Sequence, residues 1–212
     1  MCDYLPVMTK PDRTESYHHG DLKAGLIEAA THILEEEGVG ALTLRAIARR
    51  AGVSHAAPKN HFENLTALLS ELAAIGFERF ADQLTTAVSK ATRPTERNRL
   101  SGLAYVTFAR ENPAMFELMF RSDKPDFANP RLQTSSERAL RGLAANNDVA
   151  FKNGELTALT ADQGARMART WALAHGLAML MLDDQLTPIL QRLPNDYEPD
   201  ELFQTIFRIS NV

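Results

Sequence analysis

Residues 41–62 are Ala-Leu-Thr-Leu-Arg-Ala-Ile-Ala-Arg-Arg-Ala-Gly-Val-Ser-His-Ala-Ala-Pro-Lys-Asn-His-Phe. Thr43 is a residue type that caps helices, and four apolar residues follow it at the spacing of one helix face: Leu44, Ile47, Ala48 and Ala51. Gly52 permits a turn with a positive φ, and Ser54 can cap a second short helix over about 55–61. These parts form a helix-turn-helix unit.

A proline interrupts the second of these helices. Pro58 lies about four residues into it, where the ring would crowd the carbonyl of Ser54. The helix therefore either starts a residue or two later than Ser54 suggests or has a distorted first turn.

The charge of this stretch is opposite to that of the whole chain. Residues 43–62 contain no acid and four basic residues, namely Arg45, Arg49, Arg50 and Lys59, whereas the chain has a formal net charge of −4. A basic patch on an acidic chain is typical of a localised DNA contact. The three arginines cannot all face DNA at their spacing. We expect Arg45 to contact the DNA backbone, and a solvated helix face is the alternative for each of the three.

Length and composition exclude several other classes of protein. The 212 residues are 44% hydrophobic and 24% charged, as in an ordinary globular protein. Cys2 is the only cysteine, so a disulfide scaffold and a cysteine zinc site are excluded. We expect no signal peptide, because no basic stretch followed by an apolar core begins the chain. The longest apolar run, 171–182, is shorter than the roughly 20 residues of a bilayer span. A cytoplasmic protein without membrane contact is expected.

The rest of the chain predicts an all-α fold of about nine helices. No segment alternates with period two, so no sheet is expected. Asp21 is the predicted N-cap of the first helix, and Gly38 its C-cap. Asn64 is the predicted N-cap of a long helix that begins at Leu65 and reaches about residue 91. Later helices are predicted over 95–111, 113–121, 131–150, 161–182 and 199–210, with a further turn within 185–192. We divide the chain into a flexible arm (1–16), a three-helix helix-turn-helix DNA-binding domain (17–64) and a helical effector-binding and dimerisation domain (65–212).

From Tyr17-His-His-Gly-Asp-Leu22 through His61-Phe62 to Leu69, the chain resembles the TetR family of transcriptional regulators. The resemblance implies that the helix over 55–61 enters the major groove and that its neighbours lie against phosphates. The DNA-binding residues implied in this way are Thr43, Arg45, Ser54, His55, Ala56, Lys59, Asn60 and His61.

The chain departs from the family pattern at three positions. Many members have an aromatic residue in place of Lys59 and a basic residue in place of Leu65. Lys59 can contact a phosphate by charge, whereas Leu65 cannot. Asn60 stands where arginine is common, and an asparagine can bind adenine through two hydrogen bonds. The alternative for Asn60 is an exposed polar residue near a helix end.

A second resemblance covers the C-terminal half. Trp171-Ala-Leu-Ala-His175-Gly176-Leu177 and the stretch 111–120 are similar to the TetR subgroup with a Trp…His-Gly signature. Trp171 and His175 share one helix face, and we predict that they line an effector cavity. Tyr105 would supply a polar group there, and adaptable walls would come from Phe108, Met115, Phe116, Met119 and Phe120. The alternative is an ordinary core containing a histidine beside a tryptophan.

A small DNA-binding unit binds weakly alone, and dimers occupy two half-sites about 34–36 Å apart or more. We therefore expect a homodimer on an inverted-repeat operator, with its interface in the helices over 161–182 and 199–210. The predicted interface residues are Leu177, Leu202, Phe203, Ile206 and Phe207. The alternative is burial of these side chains within the same chain.

Together these patterns predict a sequence-specific regulator of transcription, a repressor that a small-molecule effector releases from double-stranded DNA. One alternative is a structural DNA-binding dimer without an effector. The other is an all-α enzyme, for which the sequence offers little. Glu15-Ser-Tyr-His18 has the spacing of a di-metal ligand pair but stands alone. No phosphate loop, nucleophile elbow or Cys/His cluster is present, so we expect no catalytic residue, metal or cofactor.

Overall fold

The computed structural model describes residues 22–147, 151–152, 155–156, 158–194 and 197–210. The predicted arm over 1–16, the Glu15–His18 pair and the predicted cap Asp21 lie outside the described residues. None of the helices within these ranges is both long enough and apolar enough to cross a membrane.

Nine α-helices form most of the described chain. They are α1 Leu22–Glu37, α2 Leu44–Arg50, α3 Leu65–Val88, α4 Pro94–Glu111, α5 Pro113–Phe120, α6 Pro130–Asn146, α7 Ala161–Leu182, α8 Thr187–Leu190 and α9 Pro199–Ile209. Two 3-10 segments, Val39–Ala41 and Ala57–Asn60, flank α2. The all-α prediction is therefore confirmed.

A short ribbon is the exception to the helical architecture. Strand β1, Phe151–Lys152, pairs antiparallel with β2, Glu155–Leu156, and Phe151 lies opposite Leu156. The expectation of no sheet is wrong for these four residues. Strands of two residues are too short to produce a period-two pattern in the sequence.

The helix ends follow local chemistry. Thr43 Oγ1 accepts a hydrogen bond from the Ala46 amide at 3.1 Å, and Asn64 Oδ1 accepts from the Ala67 amide at 2.8 Å. These are the N-caps predicted for α2 and α3. Prolines stand in the first turns of five other helices, where a missing amide proton leaves no bond unmade: α4, α5, α6, α8 and α9.

The predicted helix over 55–61 is wrong in its type. The segment is a 3-10 turn over Ala57–Asn60 that follows Ala56, and Ser54 does not cap it with its side chain. Pro58 explains the difference, because it has no amide proton to donate to the Ser54 carbonyl. That carbonyl instead accepts from the Ala57 amide at 3.0 Å. The predicted positive φ at Gly52 is confirmed at 70°.

One hydrophobic cluster runs through the whole protein, from Leu26 in α1 to Phe207 in α9. Helix α3 packs on α1 near its start and on α4 and α6 further along, and α4 also packs on α7 and α9. The buried residues of the helix-turn-helix portion and of the larger helical portion are therefore continuous.

The packing of α9 corrects part of the predicted dimer interface. Phe203 and Phe207 are only 5% and 4% exposed within a single chain, and Leu177 in α7 is 7% exposed. The Phe207 ring lies directly against the backbone of Gly102 in α4. These three side chains fill the protomer's own core, because α9 lies across α4, and they offer almost no surface to a partner.

The contact between Gly102 and Phe207 yields a stability prediction. A Cβ atom at Gly102 would overlap the Phe207 ring, whereas a Cβ atom at Gly142 in α6 would meet nothing within 4 Å. Gly102→Ala should lower the free energy of unfolding by about 1–3 kcal/mol through overpacking. Gly142→Ala should raise it by up to about 1 kcal/mol through helix propensity. Urea unfolding at a fixed protein concentration measures both, and a Gly102→Ala protein as stable as Gly142→Ala would refute this packing of α9.

Candidate DNA interface and effector cavity

The predicted DNA-binding residues all lie on the surface. They are exposed at the start of α2, in the turn after it and around the second 3-10 segment: Thr43, Arg45, Ser54, His55, Ala56, Lys59, Asn60 and His61. Pro58 and Phe62 are buried beneath them, and the Phe62 amide donates to the Pro58 carbonyl at 2.9 Å. The buried pair anchors a short, outward-facing segment, so Asn60 and Lys59 are presented by a tight turn instead of a full α-helix.

The arginines of α2 differ in their surroundings. Arg50 donates two hydrogen bonds to the Glu36 carboxylate of α1, at 2.6 and 2.5 Å. The hydrogen bond from Arg50 also lowers the pKa of Glu36. Arg45, Arg49 and Lys59 form no ion pair with any other described residue. Arg50 is therefore not one of the unpaired cations of the basic patch, and its contact with Glu36 joins α2 to α1.

A cavity of about 500 Å³ lies in the larger helical portion, among α3, α4, α6 and α7. Of the predicted cavity residues, Tyr105, Met119, Trp171 and His175 line it, as does Phe120. Phe108, Met115 and Phe116 do not line it, and they are buried in the continuous core. The prediction that these three side chains line the cavity is therefore wrong.

Sequence reasoning missed several walls of the cavity. Phe77 and Phe80 of α3, Ser101 of α4, Phe127 and Glu137 also line it. Phe77 and Phe80 occupy the apolar face of a long helix, where a wall residue and a core residue have the same spacing. Phe127 follows α5 in a proline-containing loop, and nothing local signals its contact with the cavity.

Three polar side chains form a relay at one side of the cavity. The Trp171 Nε1–H donates to Tyr105 Oη at 3.3 Å, and Tyr105 Oη lies 2.9 Å from His175 Nδ1. Indole can only donate, so the phenol accepts from Trp171 and is free to donate its own proton to His175. In the arrangement where the phenol donates to Nδ1, the ring is neutral and carries its proton on Nε2. Burial lowers the pKa of His175, which favours the same neutral form.

The relay side chains are not an ordinary core pair. Trp171 is 45% exposed and His175 is half-buried, while Tyr105 is buried and burial raises its pKa. The His175 ring stacks on Phe116 with centroids 5.7 Å apart. Trp171 and His175 both line the cavity, and the binding of an effector there stays a prediction.

Large apolar side chains are exposed on each of α7, α8 and α9. Leu180, Ile189 and Ile209 are 43%, 52% and 68% exposed. Leu202 and Ile206, two of the predicted interface residues, are partly exposed on α9. Within the predicted interface set, only these two offer surface to a second copy.

Comparison with known proteins identifies the architecture. Residues 99–208 match the family described as tetracyclin repressor-like, C-terminal domain, and residues 26–72 match bacterial regulatory proteins, tetR family. The first match alone covers more than half of the chain. The protein belongs to the TetR family.

Individual relatives agree with the assignment. The chain is 29% identical over 161 residues to the uncharacterised HTH-type transcriptional regulator YobS of Bacillus subtilis, covering 74% of this chain and 76% of that protein. A protein of unknown function from Rhodococcus sp. RHA1 has a similar structure, with a TM-score of 0.68, 27% identity and coverage of 93% and 95% of the two chains. Bacillus subtilis FadR in complex with stearoyl-CoA shares the fold, with a TM-score of 0.57, 18% identity and coverage of 89% and 98%.

The TetR-family assignment makes the protein a DNA-binding regulator of transcription with an N-terminal helix-turn-helix. The Trp…His-Gly subgroup, the individual contact residues and the division at residue 64 stay predictions.

The two environments of Arg45 and Arg50 yield a test of the DNA interface. Arg45→Ala should weaken binding to all DNA sequences and reduce the slope of log affinity against log salt by about 0.9 for each bound protomer, since one phosphate contact is lost. Arg50→Ala is the matched control and should leave the slope unchanged, because Arg50 is paired with Glu36. Fluorescence anisotropy at several salt concentrations measures both slopes. Equal changes in the two variants would contradict the assignment.

Proposed function

We propose that this TetR-family regulator is a homodimeric repressor that leaves an inverted-repeat operator when a small molecule occupies the cavity among α3, α4, α6 and α7. One observation carries the proposal. The segment 121–129 between α5 and α6 contacts the cavity and also contacts the helix-turn-helix portion.

The cavity side of this segment is formed by Ser122 and Phe127. On its other side, Lys124 Nζ donates to the carbonyl of Val39 at 2.7 Å. Val39 lies in the 3-10 turn immediately before α2. A charge-assisted hydrogen bond therefore joins the segment that touches the cavity to the entry of the helix-turn-helix.

A buried contact holds the same segment to α3. The Asp126 amide donates to Ser70 Oγ at 2.9 Å, and Ser70 is fully buried. The Ser70 hydroxyl in turn donates to the Thr66 carbonyl at 2.8 Å, in the first turn of α3. Movement of the segment must therefore break these bonds or displace the start of α3, which follows the DNA-binding residues directly.

A second connection runs through Glu71. Its carboxylate lies 2.6 Å from Arg131 Nη1 of α6 and 3.3 Å from Lys23 Nζ of α1. Burial acts to raise the pKa of Glu71, but the hydrogen bonds from Arg131 and Lys23 outweigh it and lower the pKa. The carboxylate stays charged and links α1, α3 and α6.

These contacts support release by a shift in population. A ligand changes the preferred conformation only if it binds one conformation better than the other. Phe127 lies edge-on to Phe77 with centroids 6.3 Å apart. A ligand that displaces Phe127 or spreads α6 from α3 favours a conformation in which Lys124 no longer fits the Val39 carbonyl. The two helix-turn-helix portions of a dimer then no longer match their half-sites.

The exposed apolar side chains of α7, α8 and α9 support the homodimer. Pairing about a two-fold axis would cover such side chains with the same side chains of a second copy, which gives a closed, self-complementary patch. Trp171 is also exposed beside the cavity, so the interface and the cavity share helix α7.

The observations favour this function over both alternatives. A structural dimer without an effector would fill its larger helical portion with side chains, whereas this portion contains a partly open cavity of about 500 Å³. The family and the relatives are transcription regulators, which disfavours an enzyme. No group of three or more metal-binding side chains occurs in the described ranges.

Selection from a random DNA library at fixed salt tests the DNA-binding part of the proposal. The purified protein should enrich an inverted repeat, because two protomers bind related half-sites. The Arg45→Ala variant serves as the control and should enrich the same sequence more weakly. Enrichment of a single unrepeated half-site, or of no sequence, would contradict a dimeric repressor.

The contact between Lys124 and Val39 can be tested by amide hydrogen exchange. Lys124→Met keeps the length of the side chain but removes its donor, which costs about 1.5–3 kcal/mol for a hydrogen bond of a charged group. Exchange at residues 39–42 should therefore quicken by about tenfold or more, whereas α7 should be unaffected. Lys90→Met is the matched control, since Lys90 is exposed. Equal exchange in both variants would show that Lys124 does not join the two portions.

A further inference from the structure

Aromatic side chains form a large part of the cavity walls, beside leucine, alanine and methionine side chains. Six rings besides His175 line it: Phe77, Phe80, Tyr105, Phe120, Phe127 and Trp171. Several of them meet edge to face, with Phe77 and Phe120 at 5.2 Å and 71°, and Phe80 and Tyr105 at 4.9 Å and 90°. Such walls present both ring faces and ring edges, which favours a ligand that itself contains flat rings.

No lysine or arginine is among the described residues that line the cavity. Glu137 is the one lining residue among those described that carries a full charge, and its side chain is 55% exposed. It lies 3.4 Å from Arg141, outside the cavity lining. An acidic ligand would therefore meet no cation on the walls and a carboxylate at the rim, so its charge would be desolvated without a partner. The Glu137 carboxylate is too solvated to hold a cationic ligand strongly.

The hydrogen-bonding groups left for a ligand are few. Within the relay, the Trp171 indole donates its proton to Tyr105 Oη, and the Tyr105 hydroxyl is engaged with His175 Nδ1. The neutral histidine keeps its Nε2–H, which has no partner among the described residues. Ser101 also lines the cavity, and its hydroxyl makes no hydrogen bond within the described chain. A donor at His175 and a hydroxyl at Ser101 suit a ligand with an oxygen that accepts a hydrogen bond.

We infer that the effector is an uncharged, ring-containing molecule that carries a hydroxyl or carbonyl oxygen, and that the cavity discriminates against carboxylates and phosphates. This inference rests on the proposed function, because it names the class of ligand for the same cavity. The observation behind it is the pairing of aromatic walls with the absence of any wall cation.

Three probes of the same shape test the ligand class. They are 4-phenylphenol, which is neutral at pH 7.5, 4-phenylbenzoate, which is an anion, and 4-phenylbenzylamine, which is a cation. Isothermal titration of the full-length protein without DNA should give the phenol an affinity at least about tenfold above that of the benzoate, owing to the unpaired buried charge. The amine should also bind more weakly than the phenol. A benzoate or an amine that binds as tightly as the phenol, or no binding of any probe at 1 mM, would overturn the inference.

A variant tests the role of the histidine donor. His175→Leu should lose about fivefold or more in affinity for 4-phenylphenol, as expected for a lost hydrogen bond. Biphenyl, which lacks the oxygen, should bind the variant and the wild type alike. Retained biphenyl binding shows that the variant folds and keeps its cavity. An equal loss of affinity for both probes would contradict a hydrogen bond from His175 to the ligand.

A separate arm distinguishes this inference from the proposed function. The enriched DNA sequence, bound to the wild-type protein, is challenged with 4-phenylphenol at a saturating concentration. Release of the DNA supports both proposals together. Binding of the phenol with no release contradicts the proposed function but leaves the ligand class in place.

Discussion

Burial of helix α3 along most of its length is the constraint on which the rest of this structure depends. Its first turns lie in the same hydrophobic cluster as α1 and the helix-turn-helix, and its later turns hold Phe77 and Phe80 at the cavity wall. Eleven of its 24 residues are buried, including Ser70. The same helix therefore carries residues of the cavity wall and residues that pack in the core of the helix-turn-helix portion.

Polar contacts around α3 also connect the cavity region to the helix-turn-helix portion. Lys124, Asp126 and Arg131 come from the loop and helix that border the cavity, and they bind Val39, Ser70 and Glu71 respectively. Each contact is local and directional, whereas the apolar cluster is continuous and non-directional. The apolar core therefore sets the overall arrangement, and the hydrogen bonds distinguish one relative position of the two portions from another.

The chemistry of the cavity follows from what surrounds it. Aromatic side chains from α3, α4 and α5 converge there, and each of them also packs on the core. The cavity is the space that these rings leave unfilled. The polar relay of Trp171, Tyr105 and His175 satisfies the buried phenol without a charged group. The cavity wall is therefore largely uncharged, and an anionic ligand would find no partner of opposite charge among its described residues.

The sequence by itself determined the features that depend on neighbouring residues. Local chemistry explains the caps at Thr43 and Asn64, the positive φ of Gly52 and the bounds of α7. It also explains the basic stretch over 43–62 and the resemblance to the TetR family. Only the tertiary structure decided that Phe203 and Phe207 fill the protomer's own core, that Phe108 and Phe116 lie behind the cavity, and that Phe127 reaches it. The physical reason is that an apolar face at helical spacing specifies burial but not the surface that buries it. That surface depends on how distant helices cross.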